Sequence, residues 1–166
     1  MPKDAIVLLK DDHKEIRKLF RKFQQAGDRA TQTKGHLVDQ ILHLLTVHTY
    51  IENEGMYPFV RERVPELEDD VLESLEEHHV ADVVSLELAA LSPDNDRFDA
   101  KTTVLIELVT HHIEEEEDEW FPKVREHLGR KQLQELGARL EELRARSPQR
   151  PTSPGALKKA IKAVVS

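Results

Sequence analysis

The sequence predicts an all-α protein: an up-and-down antiparallel four-helix bundle with a short C-terminal helix and a mobile basic tail. Three observations carry this expectation. Four long segments place apolar residues at steps of three and four, separated by turn residues. The second pair of segments repeats the first at an offset of about 64 residues, the pattern of two helical hairpins joined by short loops. The composition, 34% charged, 39% hydrophobic and only 5% aromatic in 166 residues, is that of a Leu- and Glu-rich helical chain long enough for one core.

The first helix is expected from about Asp4 to Ala26. Ile6, Leu9, His13, Ile16, Phe20 and Phe23 form one seam, Asp4 is an N-cap and Gly27-Asp28 a stop. The second runs from about Thr33 to Val64 with Ile41, Leu45, His48 and Glu52 on one face. Pro58 falls inside it and should kink or break it, because proline removes the bond to the carbonyl four residues back. Pro65 opens the third, in which Val71, Leu75, His78 and Ser85 share a face, and Ser92-Pro93-Asp94-Asn95 is a turn. The fourth runs from about Asp96 to His127, with Leu105, Leu108, Val109, His112 and Glu116 facing one way. Residues 1–128 thus read as the bundle and 129–146 as an additional, more polar helix. Residues 147–166 read as a proline- and serine-containing linker and a short basic tail, in which Leu157, Ile161 and Val164 oppose Lys158, Lys159 and Lys162.

Charge and composition exclude several functions. Net charge is −8, and because residues 147–166 hold four of the 24 basic residues and no acidic one, the first 146 balance 20 positive against 32 negative charges, or −12. No basic stripe exists for nucleic acid, and the tail is expected to lie back on the acidic bundle or to move freely. One short basic helix binds membranes weakly, and neither a signal sequence nor a spanning apolar run is present, so a cytoplasmic protein without membrane or nucleic-acid partners is expected. There is no cysteine, which removes disulfides, zinc-thiolate sites and thiol redox chemistry. Any metal must be held by nitrogen and oxygen, which suits iron, manganese or zinc better than copper(I).

The chemistry lies in a phrase that occurs twice. His48-x-x-x-Glu52 precedes Tyr57-Pro58, and His112-x-x-x-Glu116 precedes Phe121-Pro122 in the same register. Upstream of each stands a histidine directly after an acidic residue, Asp12-His13 and Glu77-His78. A single histidine on an apolar face is more often a hydrogen-bonded core residue than a ligand. Four at similar depth, two with a carboxylate one turn on, would be costly without a cation and point to a pair of metal ions. His111-x-x-x-Glu115 fits the spacing as well, but the distance to Pro122 and the Leu105–Leu108 face select His112 and Glu116. The rest of Glu114 to Glu119 reads as a solvated face. His79 reads as a flanking residue, and His36, His43 and His127 as surface or boundary residues. Asp82, one turn after His78, is either a further ligand or an acceptor that orients an imidazole.

The order of these motifs resembles the hemerythrin-like cation-binding (HHE) domain family over about residues 4–127. The stretch His111-His112-Ile113-Glu114-Glu115-Glu116 with Phe121-Pro122-Lys123 is especially similar. The resemblance implies a non-haem centre of two iron ions, oxo- or hydroxo-bridged, with His13, His48, His78 and His112 as terminal ligands and Glu52 and Glu116 as bridges. Manganese or zinc are alternatives. The family's oxygen carriers use a fifth histidine where this chain has Asp82, so the resemblance implies open coordination and redox turnover or sensing rather than oxygen storage. The expected ligand is oxygen, nitric oxide or hydrogen peroxide, in an oxidative or nitrosative stress response, with peroxide or nitric oxide consumption as the activity if the centre turns over. Alternatives are an iron or redox sensor acting through metal-dependent folding or partner binding, and a non-redox structural bundle. The sequence shows no aromatic or basic pocket for an organic substrate.

Overall fold

In the computed structural model, which describes residues 3–151, seven α-helices follow one another: α1 (Ala5–Gln25), α2 (Thr31–Ile51), α3 (Tyr57–Arg63), α4 (Glu68–Ala89), α5 (Phe98–Glu115), α6 (Phe121–His127) and α7 (Arg130–Arg146). No strand occurs among the described residues. The tail helix expected at residues 157–165 lies outside them.

The four-helix bundle is present, with α2–α3 and α5–α6 each acting as one long rod. Asp4 caps α1, its Oδ1 accepting from the Ile6 and Val7 backbones, and all six residues of the expected first seam are buried. The two prolines do not break their helices. Each rod instead widens into one π turn, Glu52–Met56 and Glu116–Trp120, in which the Tyr57 and Phe121 N–H groups reach back five residues to the carbonyls of Glu52 and Glu116. The wider turn gives the segment ahead of Pro58 and Pro122 a different bond register, so the helix continues through the missing N–H. A π turn therefore begins at each motif glutamate.

The buried apolar residues form two clusters, one around Ile16, Phe20, Ile41 and Leu105 and one around Leu9, Ile51, Tyr57 and Phe121. Helix α7 belongs to the second. It buries Leu133, Leu136, Leu140 and Leu143 and lies so close to the start of α1 that a Cβ on Gly137 would sit 1.8 Å from the Lys3 carbonyl oxygen. It also carries Arg144, whose Nη2 donates to both Asp12 carboxylate oxygens at 2.9 Å. No helix of the described residues is long and apolar enough to cross a membrane.

Candidate metal centre

The four seam histidines and both motif glutamates meet at mid-height of the bundle, buried to within a few per cent of full enclosure. The histidines form two pairs, one from each hairpin. His13 Nε2 lies 3.2 Å from His48 Nε2 and His78 Nε2 lies 3.0 Å from His112 Nε2. The carboxylates link the pairs. Glu52 Oε1 stands 2.8 Å from His48 Nε2 and 3.5 Å from His78 Nε2. Glu116 places Oε1 3.3 Å from His13 Nε2 and Oε2 3.4 Å from His112 Nε2. Two groups of three donors result, His13–His48–Glu116 and Glu52–His78–His112. His111 is exposed and pairs with Glu115 at 3.1 Å, and with Glu77 these two form a third, less buried donor group outside the six.

Every imidazole is oriented through its other nitrogen. His13 Nδ1 donates to Glu117 Oε2 at 2.6 Å, His48 Nδ1 to Asp12 Oδ2 at 3.0 Å, His78 Nδ1 to Asn53 Oδ1 at 2.8 Å and His112 Nδ1 to Glu77 Oε1 at 3.2 Å. These acceptors carry no hydrogen, so each Nδ1 holds a proton and each Nε2 is the nitrogen free to ligate. The arrangement follows the sequence repeat. The acid before one histidine orients the other histidine of its pair, and the residue after each glutamate orients the remaining one. Glu117 is thus drawn out of the acidic run expected to face solvent, and Asn53 and Glu117 are functional residues that the motif reading passes over. Their signal was adjacency to Glu52 and Glu116. Asp82 does not reach His78 Nδ1, which Asn53 occupies. It lies on α4 beside His78 and His79, and burial raises its pKa against their attraction.

Tyr57 is a further residue at the centre. Its hydroxyl lies 3.2 Å from the Nε2 atoms of both His78 and His112 and donates to Glu116 Oε2 at 2.7 Å. The repeat places Phe121 at the matching position, stacked on His13 with ring centres 5.9 Å apart. Only the second histidine pair therefore has a phenol oxygen.

The electrostatics fit a pair of cations. Burial opposes a charge on His48, but Glu52 and Asp12 outweigh it and raise the pKa to about 10. Burial likewise opposes a charge on His112, and Glu116 and Glu77 carry it well above the usual imidazole range. Glu116 is held well below the carboxylate range despite burial, chiefly by His112 and His13. One histidine of each pair thus bears an extra proton in the metal-free protein, a monovalent stand-in where a divalent ion would bind. Even so, both Glu52 oxygens and Glu116 Oε1 are buried with no hydrogen-bond partner among the described residues. The 2.8 Å approach of His48 to Glu52 is not aligned as a hydrogen bond. Buried carboxylate oxygens without donors are costly, and two nitrogen–oxygen donor sets sharing carboxylates are what remove that cost when metal binds.

Residues 4–124 match the family model of the hemerythrin HHE cation binding domain. The chain belongs to that family. Among relatives of this HHE chain is a protein from Nostoc sp. named DNA nickase, 27% identical over 86% of this chain. The chain spans 40% of that protein's length. The fold is shared with a crystal structure of a hemerythrin HHE cation binding domain-containing protein from Mycobacterium kansasii, with a TM-score of 0.70, 24% identity, and 86% of this chain and 88% of that one covered.

Proposed function

We propose that this HHE protein holds two iron ions and reacts with a small oxidant, hydrogen peroxide foremost, in an oxidative-stress response. The observation that carries the reading is the pair of three-donor groups linked through Glu52 and Glu116, both Glu52 oxygens and Glu116 Oε1 being buried with no hydrogen-bond partner among the described residues. His13, His48 and Glu116 would hold one ion; His78, His112 and Glu52 the other, with Tyr57 in reach of the second. Two ferrous ions held there would supply the two electrons that reduction of a peroxide requires. The protein's own part is positioning and proton control. The four Nδ1 acceptors fix the imidazoles, and Tyr57 holds a proton at Glu116 Oε2, its pKa raised by burial and by the charges of Glu116 and Glu52. Nicking of DNA is not carried over from the Nostoc relative, since a chain of net charge −8 repels a phosphate backbone.

Elemental analysis of protein from an iron-replete host, with spectra before and after peroxide, tests the reading. Two irons per chain and loss of added peroxide are expected. His48→Ala and His112→Ala should each lose metal and chromophore, and full metal content in both variants would overturn the ligand assignment. Zinc or manganese in place of iron would remove the redox part.

A second reading has its own support. Ligands from four rods lie between two apolar clusters, so metal release would loosen the bundle and could signal iron supply through fold stability. Hydrogen exchange unchanged between metal-free and loaded protein would exclude it.

A further inference from the structure

A cavity of about 830 Å³ opens between α2 and α4 and reaches the metal centre. Its floor is His48, His78 and His112, each more than nine-tenths buried. Its walls are mainly apolar, from Leu45 and Leu75 to Leu108 and Val109. The chain after α7 closes one end, with Pro148 and Pro151 in the wall and the Gln149 carbonyl accepting from His43 Nδ1 at 2.8 Å. No aromatic or basic pocket for an organic substrate is legible in the sequence, and this one, mainly apolar, is neither. The gap between two helices that supply ligands creates it.

Its size is the first argument. A water molecule takes about 30 Å³ of liquid volume, and peroxide or a diatomic gas is little larger. Cavities of several hundred Å³ with apolar walls and a few convergent polar groups suit organic molecules. The lining charges are the second. Arg61 is engaged by Glu68 at 2.9 Å and Glu77 by His112 at 3.2 Å. The Asp82 carboxyl is surrounded by its own helix's histidines. The raised His48 and His112 on the floor are each held between two carboxylates, and the exposed Arg150 is outnumbered by Glu54 and Glu76 in the same lining, so an organic anion meets no unopposed cation, and the apolar walls offer an organic cation little compensation for lost water. The third is the floor. It presents the metal-ligating histidines at one end only, a place for a single oxygen donor.

We propose that this cavity binds an uncharged organic hydroperoxide, ROOH, and the alcohol, ROH, left when two electrons from two ferrous ions and two protons would cleave its O–O bond and release the other oxygen as water: an apolar body against the leucines, with one –OOH or –OH end toward His78 and His112. This rests on the peroxide reading for the reactive form, but binding of the alcohol does not. The full-length protein, metal-free and iron-loaded, would be titrated with 2-phenyl-2-propanol and followed by amide chemical shifts. Saturable one-site binding is expected in both forms, with shifts confined to residues around Leu45, Leu75, Ala81 and Val109. Ala81→Phe and Ser85→Phe, which project into the cavity from successive turns of α4, should each weaken it at least tenfold while iron still loads. Benzoate and benzylammonium should bind at least tenfold more weakly than the alcohol. Absence of saturable binding, shifts elsewhere on the surface, or tighter binding of either ion would overturn the proposal. So would binding seen only after cleavage following Pro151, since the chain's own continuation would then be the occupant. If the alcohol binds while the iron-loaded protein leaves hydrogen peroxide intact, the peroxide reading fails and the cavity assignment stands.

Discussion

Replacing Tyr57 by Phe makes the second half of the centre resemble the first, where Phe121 occupies the matching position. The change removes one hydroxyl and little volume. That hydroxyl donates to Glu116 Oε2 at 2.7 Å, and both residues are about 1% exposed, so no water replaces the bond. A hydrogen bond to a buried charged group contributes roughly 1.5–3 kcal/mol. For a chain of this size each kcal/mol moves the melting temperature by about 2–4 °C, so the metal-free variant should melt about 3–12 °C lower. The same oxygen lies 3.2 Å from both His78 Nε2 and His112 Nε2. A metal bound by that pair would therefore lose an oxygen donor, whereas one bound by His13 and His48 would not. Removing such a supporting group weakens metal binding about 10- to 100-fold. Because Glu116 also serves the His13–His48 group, calorimetric titration should show one strongly weakened step and one affected less, with thermal melting of the metal-free protein measured alongside. An unchanged melting temperature together with two unchanged steps would refute this account of Tyr57. Equal weakening of both steps would refute its confinement to one half.

Four further outcomes follow from the structure. Because His48 is raised to about 10 and His112 is also raised, metal must displace a proton from each pair. Apparent affinity should climb about tenfold per site per pH unit across the neutral range, and proton release measured in weak buffer at pH 7 checks this. In the metal-free protein, the stabilisation from protonated His48 is complete below its unfolded value of 6.5 and is lost as pH rises through about 10. Its melting temperature should fall over that interval, while the depressed Glu116 makes it fall again on acidification below about 4.5. Asp12→Ala removes the acceptor for His48 Nδ1 and leaves Arg144 only its longer pairing with Glu141, so metal affinity should drop about 10- to 100-fold with the helical circular dichroism retained; unchanged affinity would count against the orienting role. Gly137→Ala drives a methyl against the Lys3 carbonyl at 1.8 Å. It should cost about 1–3 kcal/mol or more, read as a lower denaturation midpoint.

The period of three and four made the four rods legible, and the internal repeat made the six converging side chains legible. What the sequence hid is what depends on contacts between rods. Pro58 and Pro122 mark a perturbed hydrogen-bond ladder but not its form, because a kink and a π turn both relieve the missing N–H. Asp12 and Glu77 stood out by adjacency to His13 and His78, yet each serves the histidine of the neighbouring helix, a partner that no spacing along one chain can name. Glu117 was lost in an acidic run in which Glu116 alone was expected to turn inward. The shift of bond register in the π turn sets which glutamates of that run turn inward. The cavity was hidden for a similar reason: it is a gap between α2 and α4, and a gap has no residue signature.

The repeat is obeyed by the ligands and broken around them, and the breaks all fall the same way. His13 and His48 are oriented by carboxylates, Glu117 and Asp12, and Arg144 of α7 pins Asp12 from outside. His13 is fully buried and backed by the Phe121 ring. On the other side His78 has the neutral Asn53 as its acceptor, Tyr57 brings an oxygen between the two imidazoles, and both His78 and His112 form part of the cavity floor, to which the first pair contributes only His48. Stronger orientation and enclosure favour a fixed coordination sphere; a neutral acceptor, a nearby proton donor and an open wall favour exchange. Two ions held in this frame would therefore be inequivalent, one anchored by the His13–His48 pair and the other exposed to incoming molecules beside His78 and His112. A symmetric sequence motif has become an asymmetric candidate centre through residues outside it: Asn53 and Glu117 next to the glutamates, Tyr57 and Phe121 one π turn on, and Arg144 from α7.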